Sequence, residues 1–218
     1  MTEDLNRSRF FTTDDPNSDV LLYRFPDVWW SRLYEYEWAK QFVGSEDVVL
    51  DAAAGIVHPF KFYVGTAARE AHACDLNPLI ASPEGLLAEI AGSWFGPDVA
   101  ALVESRYLPL VRLKQGNLMQ LPYADDYFDK VFCISVLEEM PEADQLTALL
   151  EFRRVLRPGG RIILTFDYPH IDLGRFQRHM EQAGLAFAGE TDFALPANAV
   201  YTTMWGGIYC FRAVLRKD

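Results

Sequence analysis

A chain of 218 residues, half of them apolar, is long enough to bury a sizeable core and too hydrophobic to be disordered. Its 31 acidic against 20 basic residues give a formal charge of −11, which repels phosphate backbones and anionic lipid and so argues against nucleic acid and membrane as partners. The opening Met1-Thr2-Glu3-Asp4 has no apolar signal core, and no run approaches ~18 apolar residues. Cys74, Cys133 and Cys210 lie far apart in apolar runs and read as buried free thiols of a reducing compartment, so a soluble, cytoplasmic protein is expected.

The polar stretch to about Asn17 reads as an arm that could be mobile, with Asp14-Asp15-Pro16-Asn17 as a turn. From Trp29 to Phe42 the spacing predicts a helix with Trp30, Tyr34, Trp38 and Phe42 on one face and Ser31 as its cap. That stripe packs on the core, or serves as a lid through Arg32, Tyr34 or Tyr36; the two are compatible. Residues 1–45 thus form an arm and an aromatic helical cap, and 46–218 the main domain.

Asp47-Val48-Val49-Leu50-Asp51-Ala52-Ala53-Ala54-Gly55 is a buried parallel strand running into a small-residue turn, where a ligand can approach the backbone closely. A helix follows from Pro59, with Gly65 as its expected C-cap. Glu70 to Asp75 is a second strand ending in an acid, 24 residues beyond Asp51. An acid placed roughly 20 residues on accepts from ribose hydroxyls in dinucleotide folds.

Asn77 to Gln115 reads as a long connection with short helices at Glu84–Ile90 and Val99–Val103. Strand Lys130–Ile134 follows. A helix from Glu142 to Leu156 turns Leu146, Leu149, Leu150 and Val155 to the sheet, and Arg157-Pro158-Gly159-Gly160 is the turn that ends it. Arg161–Phe166 is the next strand, and Asp172 to Ala183 a helix with Leu173, Phe176 and Met180 inward. Phe187–Phe193 and Ile208–Arg216 are the closing strands, joined by a loop holding Tyr201 and Trp205.

Five segments in this order resemble a known family: Val49 through Gly55, Cys74-Asp75-Leu76-Asn77-Pro78, Gly116-Asn117 through Leu121-Pro122 to Phe128-Asp129, Val136-Leu137-Glu138, and Arg154 through Gly160. Together they look like a class I S-adenosylmethionine-dependent methyltransferase. The resemblance implies a Rossmann-like, doubly wound α/β fold: a mostly parallel seven-stranded sheet with an antiparallel last strand and the N-terminal helical cap. It implies S-adenosyl-L-methionine as cofactor and assigns the binding roles. Asp51 would fix the turn facing the methionine moiety, with the backbone at Ala53 and Gly55 against it. Asp75 would hold the ribose hydroxyls and Leu76 would flank the adenine. Asn117 would take the adenine amino group with the Leu118 amide nearby, and Ile134 and Ser135 would face the methionine end. Ala53 and Val57 stand where the family pattern has its first and third glycines. An alanine fits if φ stays negative, whereas a β-branched residue resists the left-handed region.

A nucleophile also needs a proton acceptor. His58, His170, Glu138, Glu139 and Asp167 all fall just beyond strands, and His170, above the fifth strand, is the first choice as general base; the alternative is a surface histidine ordering its loop. No His/Cys/Asp cluster has metal-ligand spacing, so no metal is inferred. The expected function is methylation of a small molecule at an oxygen or nitrogen. A sugar or secondary metabolite is the expected acceptor, the sugar resting on the likeness of Ser31 through Trp38 to methyltransferases of polysaccharide pathways. The alternative is a non-catalytic or regulatory protein that binds the cofactor. Nicotinamide chemistry lacks its G-x-G-x-x-G, and acidity argues against an RNA acceptor.

Overall fold

The computed structural model describes residues 5–217, so the reading of Met1-Thr2-Glu3-Asp4 lies outside the described residues. In chain order the elements are β1 (Arg9–Phe10), α1 (Arg32–Ala39), β2 (Val48–Ala52), α2 (Phe60–Ala67), β3 (Glu70–Asp75), α3 (Pro83–Gly92), α4 (Gly96–Leu102), β4 (Val111–Gln115), β5 (Phe128–Ile134), α5 (Glu142–Val155), β6 (Leu156–Tyr168), α6 (Leu173–Gln182), β7 (Leu185–Phe187), β8 (Tyr201–Thr202) and β9 (Ile208–Lys217).

Among the described residues the strands form one sheet in the order β1-β9-β6-β5-β2-β3-β4, with β7 and β8 also on β9. Strands β2 to β6 are parallel to their neighbours, and β9 runs antiparallel to β6. The short β1 and β8 bring the expected seven strands to nine. Along β2, Val48, Leu50 and Ala52 face one core and Val49 the other, because successive side chains alternate across a strand. The first core is closed by α5 and α6 through Leu149, Phe152, Phe176 and Met180. Tyr36, Trp38, Phe60 and Leu86 from α1, α2 and α3 close the second. Each large side chain so buried stabilises the fold by ~1.5–3 kcal/mol. Because β3 lies on one side of β2 and β5 on the other, a crevice opens above the carboxyl end of β2.

Several local expectations are corrected. The arm is held, not mobile, over residues 5–17: β1 pairs with β9, Phe10 meets Phe211 edge-on at 5.1 Å, and Asp15 accepts from Arg9 at 2.6 and 2.8 Å. In α1 the buried side is Glu35, Tyr36, Trp38 and Ala39, and Ser31 does not cap the helix; its hydroxyl donates to Glu35 Oε2 at 3.0 Å. Gly65 sits inside α2, where a Cβ would come within 2.7 Å of Val111 Cγ2, so close packing against β4 selects glycine there. The connection from Asn77 to Gln115 contains β4, an edge strand. In α5, Leu150 is exposed, and Ala148 and Phe152 join Leu149 and Val155 in the core. The Arg157–Gly160 turn is a bulge in β6, where pairing jumps from Phe128 with Leu156 to Lys130 with Arg161. The strand expected over Phe187–Phe193 lies earlier: β7 is Leu185–Phe187, paired with β9, and of the expected range only Phe187 belongs to it.

Candidate active site

A cavity of about 450 Å³ opens at the carboxyl ends of β2, β3, β4 and β5, within the usual range for ligand sites. Asp51, Ala53, Gly55, Asp75, Leu76, Asn117, Leu118, Ile134 and Ser135 all border it. Residues separated by more than 80 positions in the chain are thus gathered on one edge of the sheet, because parallel strands end on the same side.

The turn after β2 is held from both ends. Asp75 Oδ2 accepts from the Gly55 N–H at 2.8 Å, and the Ala54 N–H donates to the Cys74 carbonyl at 2.9 Å. Gly55 has φ +60°, and its missing Cβ leaves room for His58, whose Cδ2 would stand 2.5 Å away. The strain falls on Ala53, at φ +58°, while Val57 is not among the residues at positive φ. This reverses the expectation for the two replaced glycines. A non-glycine residue in the left-handed region costs ~1–2 kcal/mol, and such strain gathers at ligand sites. Ser135, at φ +47°, is the second strained residue bordering the cavity.

Lys61 lies fully buried beneath this turn. Its ammonium donates to the Gly55 and His58 carbonyls at 2.7 and 2.5 Å and reaches the Ala54 carbonyl at 3.4 Å. Burial pulls the ammonium down and pushes the Asp51 carboxyl up, and each is steadied by the other's charge. A lysine in a helix ordinarily reads as solvated, so nothing in its local spacing revealed this role.

At the other end of the cavity Asp75 Oδ1 accepts from the Asn77 N–H at 2.9 Å, and each carboxylate oxygen retains a lone pair. Beside it Leu76 is 67% exposed, an apolar side chain left for a ligand to cover. Asn117 Oδ1 accepts from the Met119 N–H at 2.9 Å, which fixes its amide towards the same space. A carboxylate suited to vicinal hydroxyls, apolar Leu76 and Leu118 for a flat base, and an amide at its edge fit an adenosyl group.

A family model described as a methyltransferase domain matches residues 50–164, more than half of the chain. The chain belongs to the class I S-adenosylmethionine-dependent methyltransferases. Its cofactor is accordingly S-adenosylmethionine. Among curated relatives, the demethylmenaquinone methyltransferase of Bacillus velezensis is 36% identical over 93 residues, which span 41% of this chain and 39% of that protein. The chain therefore matches about two-fifths of that relative's length. Among solved structures, the [4+2]-cyclase SpnF superposes with a TM-score of 0.61 at 15% identity, covering 96% of this chain and 87% of that one. A TehB-like methyltransferase from Corynebacterium glutamicum gives 0.57 at 17% identity, covering 84% and 87%. At such identities the two structures speak to the fold alone.

This methyltransferase has a second cavity of about 450 Å³ beside the first. Arg32, His58, Ser135 and Glu139 border both, whereas His170, Glu138, Asp167, Trp30 and Trp205 border only the second. His170 is thus exposed on the outer cavity and does not border the first. His58 divides the two. Its Nδ1 lies 2.7 Å from the Tyr36 hydroxyl, its ring stacks on Trp29 at 4.1 Å, and burial holds it well below the usual histidine range, so it is neutral.

Glu35 ties the cap helix to the sheet. One oxygen accepts from Ser31 and Arg32, the other from the hydroxyls of Ser135 and Thr165. Burial alone would raise this carboxyl, but Arg32 and the hydroxyl donors outweigh it and hold the group below the ordinary value.

Glu138 and Asp167 behave oppositely. Glu138 Oε1 accepts from the Asp167 N–H at 3.2 Å, while Glu138 Oε2 and Asp167 Oδ1 are buried without a donor. Burial, and then the neighbouring carboxylates, push Glu138 up to about 8 and Asp167 up to about 6. A carboxyl raised on folding contributes stability that is complete below its ordinary value and is lost as pH rises through the folded one. Stability should therefore decline as pH climbs from 4.5 towards about 8. Glu35, lowered on folding, has made its full contribution by the start of that window. Glu138→Gln copies the neutral acid and should flatten the decline in urea midpoint against pH. A decline as steep as in the wild type would remove Glu138 from this explanation.

Proposed function

We propose that this methyltransferase moves a methyl group from S-adenosylmethionine to an oxygen or nitrogen nucleophile of a small molecule. The observation that carries the reading is the junction of the two cavities at Arg32, His58, Ser135 and Glu139, which gives cofactor and acceptor separate seats with a common wall. When bound, the cofactor supplies an electrophilic methyl on a sulfonium. In this reading Asp75 holds the ribose hydroxyls, Leu76 and Leu118 flank the adenine, and Asn117 reads its amino group. The backbone at Ala53 and Gly55, with Asp51 behind it, and the Ile134–Ser135 segment face the methionine end.

The outer cavity seats the acceptor under Trp30 and Trp205. Holding the two partners in line and keeping water out supplies ~7–11 kcal/mol of such a barrier. His170, on the rim beside Asp167, receives the acceptor's proton. The three buried free cysteines suit a cytoplasmic setting, and no helix among the described residues is long and apolar enough to cross a membrane.

Asp75 gives the direct test of the cofactor seat. Asp75→Ala should weaken S-adenosylhomocysteine binding by ~1.5–3 kcal/mol, the range for hydrogen bonds to a charged group. Calorimetry returning wild-type affinity would take Asp75 out of the site. A second reading, cofactor binding without turnover, is favoured by the strained Ala53, whose turn is stiffer than a glycine turn. It predicts tight binding and no methylated product.

A further inference from the structure

We infer that the acceptor of the outer cavity is an amine, entering as an ammonium held by Glu138 and Asp167 against the indole walls; the inference rests on the methyl-transfer reading above. Three features of the cavity converge on this chemistry. The first is charge. Glu138, Glu139 and Asp167 border it, and the cation on its wall, Arg32, donates to the buried carboxylate of Glu35. His58 is neutral, and His170 stands exposed at the rim. At neutral pH the carboxylates of Glu139 and Asp167 leave the space net negative, and Glu138, held up to about 8 by burial, ionises when a cation arrives to pair with it.

The second feature is hydrogen-bond demand. Glu138 Oε2 and Asp167 Oδ1 are buried acceptors without a donor. Buried acceptors are normally satisfied, so each such oxygen asks for an N–H or O–H from outside the chain. An ammonium brings three donors and the missing positive charge together. A hydroxyl brings one donor and no charge, and a carboxylate or phosphate brings neither and is repelled. The third feature is the wall. Trp30 and Trp205 border the cavity, Trp205 being 63% exposed. Indole faces are the best aromatic surfaces for a cation.

The chemistry closes with these groups. The ammonium gives one proton to the His170 imidazole, which frees the nitrogen lone pair. That pair forms the N–C bond as the C–S bond breaks, and the C–S electron pair stays on sulfur as a neutral thioether. The product leaves as a methylated ammonium. No oxidant or further reactant is needed.

Calorimetry in saturating S-adenosylhomocysteine at neutral pH tests the inference with benzylamine, benzyl alcohol and benzoate, which share a ring and differ in charge and donors. Benzylamine should bind at least about tenfold more tightly than benzyl alcohol, and benzoate should give no heat. The double variant Glu138→Gln, Asp167→Asn should lose at least about tenfold of the benzylamine affinity while holding S-adenosylhomocysteine within about twofold. Equal binding of the amine and the alcohol by the wild type overturns the inference without any variant. So does benzylamine affinity that survives both substitutions. If the wild type fails to bind S-adenosylhomocysteine at all, the methyl-transfer reading falls first and the amine with it. If that ligand binds and the amine is not preferred, only the amine assignment fails.

Discussion

Replacing Lys61 by methionine is expected to destabilise the protein by ~1–3 kcal/mol, the cost of leaving buried acceptors without their donor, with the loss of a balancing charge near Asp51 added to it. Methionine matches the length of the lysine stem, so packing beside Phe62, over whose ring the ammonium lies at 4.7 Å, is largely kept. What is lost is charge and donors. Asp51 remains 3% exposed with no opposite charge beneath it, and the carbonyls of Gly55 and His58 lose their donor. Those carbonyls belong to the turn that borders the first cavity, the proposed seat of the cofactor, so S-adenosylhomocysteine affinity should fall as well. Adding Asp51→Asn should return part of the stability, because the uncompensated carboxylate is then gone. Urea unfolding checks both claims. A loss below ~1 kcal/mol for Lys61→Met would show that the ammonium is not bearing a buried charge.

His170→Ala is expected to lower turnover by ~10²–10⁴-fold, the usual share of a general base, while cofactor affinity stays close to wild type. The division follows from geometry, since His170 borders the outer cavity and not the one lined by Asp75 and Asn117. Steady-state rates with saturating acceptor distinguish this from loop ordering. A histidine that only orders the Asp167–His170 loop would leave turnover within a few-fold and cost a little stability instead.

Where a segment's own chemistry dictated its structure, the sequence was readable. Val48, Val49 and Leu50 ending in Asp51 announce a strand buried on both faces, and Glu70–Asp75 emerges with the boundaries its pattern implies. The helical spacing in α6 is equally plain, with Leu173, Phe176 and Met180 inward and Asp172 accepting from the Arg175 N–H at 2.7 Å as its cap. The residues that border the first cavity were legible for the same reason, because they sit at or just beyond strand ends. Strand β4 was not, since an edge strand buries little: in Val111-Arg112-Leu113-Lys114-Gln115 only Val111 is buried, and the segment resembles a loop.

Lys61 and Glu35 are not legible in the sequence, because a charged residue on a helix is ordinarily solvated and only tertiary structure turns these two inward. The left-handed turn offers the subtler lesson. Which of two replaced glycines must adopt positive φ depends on how Lys61 and Asp75 pull the loop, and that information is spread over two other elements.

The central claim is that two adjoining cavities serve one methyl transfer, and its most direct test is product identification. The purified protein would be incubated with S-adenosylmethionine labelled in its methyl group and the small-molecule extract of its source, and labelled species identified by mass spectrometry. The account predicts a labelled small molecule, formed together with an equal amount of S-adenosylhomocysteine and lost in His170→Ala. Tight cofactor binding with no labelled molecule at any extract concentration would contradict it and leave a binding protein in its place.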